Sequence, residues 1–294
     1  MKQKVISLII IFMVCFSSCT SDRIVQEEIT SLPSKSQNPS SRKPAPSTPS
    51  PEKETPFSPA PATGTEDIYH GSDLLKGYKI CIDPGHQASG NKEKELCAPW
   101  NKEMKAKCTS GTCGNFTGTD EYIINLSIAQ KLQQKLNSLG AEVLMTRETH
   151  DVNLSNRERA ELANRFGADI TLRIHCNSAE SESVEGIELY VRGNGDGTAE
   201  YRKKAEADYK KASEMIGYLC TETGAISRGI FQSDAYTGIN WCENTCIIVE
   251  CGFLSNEKED RLLNTAAYQE QIVEGIVNYF ISSRVSSDKK ISGL

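Results

Sequence analysis

Tyr78–Gln87 reads YKICIDPGHQ. Ile80, Cys81 and Ile82 are consecutive apolar positions, and the Pro84-Gly85 pair turns the chain directly after Asp83. A short apolar run closed by such a turn is a strand buried on both faces, the kind found inside a sheet covered by helices on each side. The chain beyond it keeps that rhythm. Glu121–Leu139 places Ile124, Leu126, Ala129, Leu132, Leu136 and Leu139 at helical spacing, and Gly140 supplies the stop. Glu142–Thr146 is the next strand. Ser155 and Glu158 form a capping box for a helix that runs to Phe166 and closes at Gly167. Asp169–His175, Gly186–Val191 and Cys246–Glu250 read as further strands. Tyr201–Thr221 is a long helix, Asn256 and Glu259 cap a short one, and Ala266–Ser282 forms the last. Strands alternating with helices predict a single three-layer α/β domain over residues 73–284, a twisted and mostly parallel sheet with helices on both faces.

Ligands of such sheets bind beyond the carboxyl ends of the strands. That rule selects residues here. The chain has 4 histidines; His86 follows the strand ending at Asp83, His175 closes its strand, and Glu250 closes another. His70 and His150 lie in polar stretches. A catalytic zinc takes three protein ligands and keeps one position open for water. Two histidines and one carboxylate would leave the complex with a net positive charge, and a further carboxylate outside the ligand set could move the proton. Glu121 opens a helix, where a carboxylate is also favoured by the dipole alone. Glu93, Glu95 and Asp120 are its competitors. Glu250 has the alternative of a structural ion pair with Arg173.

DPGHQ at Asp83–Gln87, TRETHDVNLSNRERAELAN at Thr146–Asn164, IHCNS at Ile174–Ser178 and VECGFLSN at Val249–Asn256, with Glu121 opening its helix, resemble the zinc-dependent N-acetylmuramoyl-L-alanine amidases of the Amidase_3 type. The resemblance covers residues 78–282. It implies that His86, Glu121 and His175 bind one Zn2+ and that Glu250 is the catalytic carboxylate. The implied reaction is hydrolysis of the amide joining N-acetylmuramic acid to L-alanine in peptidoglycan. Asn177 is a candidate for orienting a ligand or contacting substrate. Trp241, in GINWC, is a candidate for glycan or peptide contact, with a packed loop aromatic as the alternative. Arg147, Asp151 and Arg157 read as scaffold. Two other functions compete: a zinc peptidase acting on peptidoglycan cross-links, and a lipoprotein that binds wall without cutting it.

Residues 87–120, between His86 and Glu121, are longer than the loop common in that family. They are polar and hold Cys97, Trp100, Cys108 and Cys113. The expectation is a segment bordering the site mouth, stiffened by one disulfide among the three cysteines or, alternatively, by a structural zinc, and removable without loss of zinc. Cys81, Cys176 and Cys251 lie in strand-like runs and read as buried small hydrophobes.

The N-terminal region has a different character. Residues 1–19 begin with Lys2 and Lys4, continue through an apolar run from Val5 to Phe16, and end in Ser17-Ser18-Cys19. The run is shorter than the roughly 20 residues of a membrane span. Small residues before a cysteine resemble the bacterial lipoprotein signal, which makes Cys19 the lipidation site. An ordinary cleaved signal and an uncleaved anchor are the alternatives. Residues 20–72 carry nine of the 11 prolines, between Pro33 and Pro61, mixed with Ser, Thr and Lys. That composition predicts a linker without a core, and residues 285–294 a flexible tail. The picture is an extracytoplasmic domain held to the membrane through an N-terminal lipid and facing the cell wall. A formal net charge of -6 argues against nucleic acid as a partner.

Overall fold

The computed structural model describes residues 73–292. The signal segment, Cys19 and the proline-rich stretch therefore lie outside the described residues, and the folded unit is described by itself. Its elements in chain order are β1 (Lys79–Pro84), β2 (Asn91–Leu96), β3 (Met104–Cys108), α1 (Glu121–Ser138), β4 (Glu142–Met145), α2 (Asn156–Phe166), β5 (Ile170–Asn177), β6 (Ile187–Arg192), α3 (Ala199–Thr223), β7 (Ser227–Ser233), α4 (Thr237–Asn240), β8 (Thr245–Phe253), α5 (Glu257–Leu263) and α6 (Ala266–Ser292).

Six strands form one sheet in the order β4-β1-β5-β8-β6-β7. β4, β1, β5 and β8 run parallel, and β6 enters antiparallel to β8. The alternation of side chains along each strand separates two cores. Ile80, Ile82, Leu172, Ile174, Val249 and Cys251 pack on one face with α1, α3, α5 and α6. Cys81, Cys246 and Ile248 pack on the other with Ala160 and Ala163 of α2 and Ile239 of α4. Glu250 and Cys251 thus face opposite sides of the sheet, as strand alternation predicts.

The capping box of α2 forms as read from the sequence: Glu158 N donates to Ser155 Oγ, Ser155 N donates to the Glu158 carboxylate, and Gly167 closes the helix at φ 70°. Three features depart from expectation. β2 and β3 form a separate two-stranded hairpin inside residues 87–120. β7 adds an edge strand. α6 continues past Ser282 to Ser292, so most of the expected tail is helical. The expected disulfide is absent: Cys108 and Cys113 are thiols, and the buried Cys97 turns its sulfur toward the Asp234 and Ala235 carbonyls, each at 3.7 Å. No helix among the described residues is long and apolar enough to cross a membrane.

Candidate metal centre

The turn after β1 is the keystone of the site. Asp83 is buried and accepts from Thr146 Oγ1 at 2.5 Å, Arg159 at 2.8 Å and Arg173 at 2.7 Å. Two guanidinium groups outweigh the cost of burial and hold its carboxyl far below the usual range. The next three carbonyls also face arginines. Arg147 donates to the Pro84 and Gly85 oxygens, and Arg159 to those of Pro84 and His86. Arg147 is thus scaffold, as expected. Arg173 is committed to Asp83 and Asn156, which removes the ion pair considered for Glu250.

Gly85 is required by close approach. A Cβ there would fall 2.3 Å from the His175 ring. His86 comes next at φ 60°, the one non-glycine residue with positive φ among those described. Its Nδ1 lies 3.1 Å from the Thr109 carbonyl, an acceptor, and 2.9 Å from the Thr109 hydroxyl; a proton on Nδ1, donated to the carbonyl, leaves the Nε2 lone pair facing inward. There Nε2 lies 3.3 Å from Glu121 Oε2. His175 Nδ1 lies 3.2 Å from Glu121 Oε1.

Glu121 is held from several directions. Oε1 accepts from Asn125 Nδ2 and from Cys176 N, both at 3.1 Å, and Oε2 accepts from Thr112 N at 3.0 Å. Asn125 is one turn along the same helix face and also reaches the Gly85 carbonyl. Burial opposes the charge on Glu121, but the two histidines keep its pKa well below the ordinary value. Burial lowers the His86 pKa and Glu121 raises it, with a net rise. Burial dominates at His175, whose pKa falls to about 4. The competitors are placed elsewhere: Glu93 pairs with Lys107, Glu95 accepts from Arg157 N, and Asp120 precedes α1.

The three side chains fit a divalent cation. One ligand atom from each lies within 4.8 Å of the others. Ligands about 2.0–2.1 Å from a tetrahedral ion stand roughly 3.3 Å apart, and each histidine lies at about that distance from one of the two Glu121 oxygens. Two buried polar atoms nearby have no hydrogen-bond partner, His175 Nε2 and Glu250 Oε2.

Glu250 stands opposite His175 in the β5–β8 register and opposite Glu188 in the β8–β6 register. Burial first, then the Glu121 and Glu188 charges, push its pKa well above the usual carboxylate range. Glu188 is itself satisfied. It accepts from Asn177 Nδ2, Tyr190 Oη and Arg228 Nε. The sequence-predicted Asn177 therefore sits beside the site and holds Glu188. Trp241 packs between elements: its indole N–H donates to the Leu96 carbonyl at 2.9 Å, and the Arg157 guanidinium lies 3.9 Å from its ring centre. Sequence reasoning missed Glu188, Asn125, Thr109 and Thr112. A glutamate inside the apolar run GIELYV and an asparagine one turn after Glu121 were the available signals for the first two. The two threonines carry none.

A mostly parallel sheet that gathers two histidines and a carboxylate at its carboxyl edge, with a buried carboxylate carrying an unpartnered oxygen alongside, defines a candidate metal-dependent hydrolase site on an α/β scaffold. The chain belongs to the Amidase_3 family, N-acetylmuramoyl-L-alanine amidase, whose sequence profile matches residues 80–281. It is 29% identical over 225 residues to the N-acetylmuramoyl-L-alanine amidase LytC of Bacillus subtilis, covering 75% of this chain and 39% of that longer protein. It is 30% identical over 207 residues to the uncharacterized protein YqiI of the same organism, covering 70% of this chain and 85% of the relative. The crystal structure of an N-acetylmuramoyl-L-alanine amidase from Clostridium difficile 630 superposes with a TM-score of 0.58 at 26% identity, over 71% of this chain and 97% of that one.

Proposed function

We propose that the chain hydrolyses the amide between N-acetylmuramic acid and L-alanine in peptidoglycan, with one zinc ion held by His86, Glu121 and His175. The observation that carries this reading is the convergence of those three side chains beside Glu250, a buried carboxylate with an unpartnered oxygen. Zinc in that position would polarise the scissile carbonyl and lower the pKa of a bound water. His86 presents Nε2 because Thr109 holds the Nδ1 proton. Glu250 takes the proton of the attacking water and delivers it to the alanine nitrogen as the bond breaks. Its raised pKa suits both steps, since the group must bind a proton and then release it. No cysteine is needed as a nucleophile: Cys176 and Cys251 are buried, and burial raises both thiol pKa values.

Asn177 acts by fixing Glu188 beside Glu250, and Trp241 by fixing the hairpin whose edge borders the site. The N-terminal region serves export and attachment through a lipid on Cys19, so that the enzyme works outside the cytoplasm against the wall. Mass analysis of digested peptidoglycan tests the reaction. Stem peptides with L-alanine at a free N-terminus are the expected product, and they disappear when a chelator is added. Products cut only at cross-links would make the enzyme a peptidase, and an unchanged digest after chelation would remove the metal from the reaction.

A further inference from the structure

The stretch of residues 87–112 is larger than a rim around the site. β3 ends at Cys108, and the chain then passes Thr109, Gly111 and Thr112 directly over the ligand side chains. Thr109 meets His86 Nδ1 with two oxygens, its carbonyl at 3.1 Å and its hydroxyl at 2.9 Å. Gly111, at φ 83°, leaves no room for a side chain: a Cβ would stand 2.6 Å from Glu121 Oε2 and 2.8 Å from the His86 ring. Thr112 exchanges two bonds with Glu121, N–H to carboxylate at 3.0 Å and carbonyl from the Glu121 backbone N–H at 2.9 Å. His86 also has a left-handed backbone, a conformation that persists only where the surroundings over-determine it.

The far part of the hairpin is fixed to the folded body. The Trp241 indole and Asn240 Nδ2 donate to the Leu96 and Cys97 carbonyls, and Lys105 Nζ donates to the Ala235 carbonyl at 2.8 Å. Glu95 accepts from the Arg157 backbone N–H at the first turn of α2. The arm is therefore anchored near its turn and lies on the ligands with its returning end. The expectation that the segment is dispensable for the ligands is set aside, because deletion would remove all three contacts.

We infer that this hairpin arm is a clamp for the metal ligands, in which Thr109 is the positioning residue for His86 and Gly111 with Thr112 positions Glu121. The inference rests on the metal reading above. Thr109 fixes the ring tautomer and plane, so that Nε2 stays available to the ion. Gly111 lets the backbone shut against the carboxylate, and the Thr112 N–H keeps one carboxylate oxygen from rotating away. Partners of this kind set metal affinity as well as geometry.

Zinc competition against a chromophoric chelator, on the chelator-stripped full chain, tests this without an activity readout. Gly111→Ala is expected to weaken zinc binding on the order of 10–100-fold, and Thr109→Val by about tenfold, with Thr109→Ser near wild type. Nitrogen-15 imidazole spectra of the metal-free protein give a second readout. The wild type should show His86 protonated on Nδ1. Because the carbonyl of residue 109 remains, Thr109→Val should keep the wild-type tautomer and shift only the His86 Nδ1 resonance as the hydroxyl contact is lost, which also serves if Gly111→Ala folds poorly. Wild-type affinity in both Gly111→Ala and Thr109→Val overturns the clamp. Wild-type affinity in His86→Ala instead overturns the metal assignment beneath it, so the two failures are distinguishable.

Discussion

Glu250 lies between charges of its own sign, with Glu121 toward the metal ligands and Glu188 across β6. Arg228, Tyr190 and Asn177 stabilise the charge of Glu188, whereas Glu250 has no comparable support. The unsupported carboxylate, Glu250, is the one whose pKa is raised, by burial first and then by the Glu121 and Glu188 charges. A base must be unprotonated to act, so kcat/KM should fall as pH drops through a midpoint above the ordinary glutamate value of about 4.3. Glu250→Gln should lower kcat by on the order of 10²–10⁴-fold and abolish that limb, while zinc affinity is retained. A pH–rate profile with chelator competition on the same variant reads both effects. Asp83 behaves oppositely. Its pKa is depressed, so its contribution to stability is complete above the unfolded value of about 3.9 and is lost as pH falls below it. Asp83→Asn leaves Arg159 and Arg173 uncompensated in a buried site and should cost about 3–5 kcal/mol at neutral pH. Denaturant titrations should show the gap to wild type closing as pH is lowered below about 4.

At the level of elements, legibility followed burial. β1, β5 and β8 are covered on both faces, and their apolar runs reveal them together with the residues at their ends. α1 and α2 carry helical spacing, a glycine stop or a capping box. β2, β3 and β7 are largely exposed and polar, NKEKEL, MKAKC and SRGIFQS, so no alternation marks them. The direction of β6 was equally hidden, because pattern gives a strand its faces but not its partner. That gap explains why Glu188 went unnoticed: only the antiparallel β6–β8 register sets it against Glu250. His86, Glu121, His175 and Glu250 were legible because each sits at the end of a recognisable element. Thr109 and Thr112 follow a hairpin that was not. The α2 cap offers a contrast between stability and site. Ser155→Ala removes the acceptor for Glu158 N and should destabilise the domain by about 1 kcal/mol. Zinc affinity should stay at the wild-type value, since Ser155 touches none of the three ligands. Thermal unfolding and chelator competition on one preparation separate the two.

On the scale of the whole molecule, the family profile covers residues 80–281, and the N-terminal residues lie outside it. The domain buries two cores of its own and gathers its candidate ligands from the turn after β1, from α1 and from β5. The N-terminal residues are expected to decide location: a lipid on Cys19 would hold the enzyme at the membrane, and a linker of about 50 residues would give it roughly 40 Å of reach. Two chains separate these roles. A Cys19→Ser variant should leave the membrane fraction, whereas the unaltered chain stays with it and shifts in mass by its lipid. A chain beginning at residue 73 should digest isolated peptidoglycan at a rate similar to the full chain, because the substrate is then in solution and reach no longer matters. On intact cells the same truncated chain, supplied from outside at equal concentration, should release less stem peptide than the tethered enzyme. Loss of activity by the truncated chain on isolated wall would place part of the catalytic or substrate-binding surface in the N-terminal region and refute the division of labour. Membrane retention of Cys19→Ser would assign the anchor to the apolar run between Val5 and Phe16 instead of a lipid.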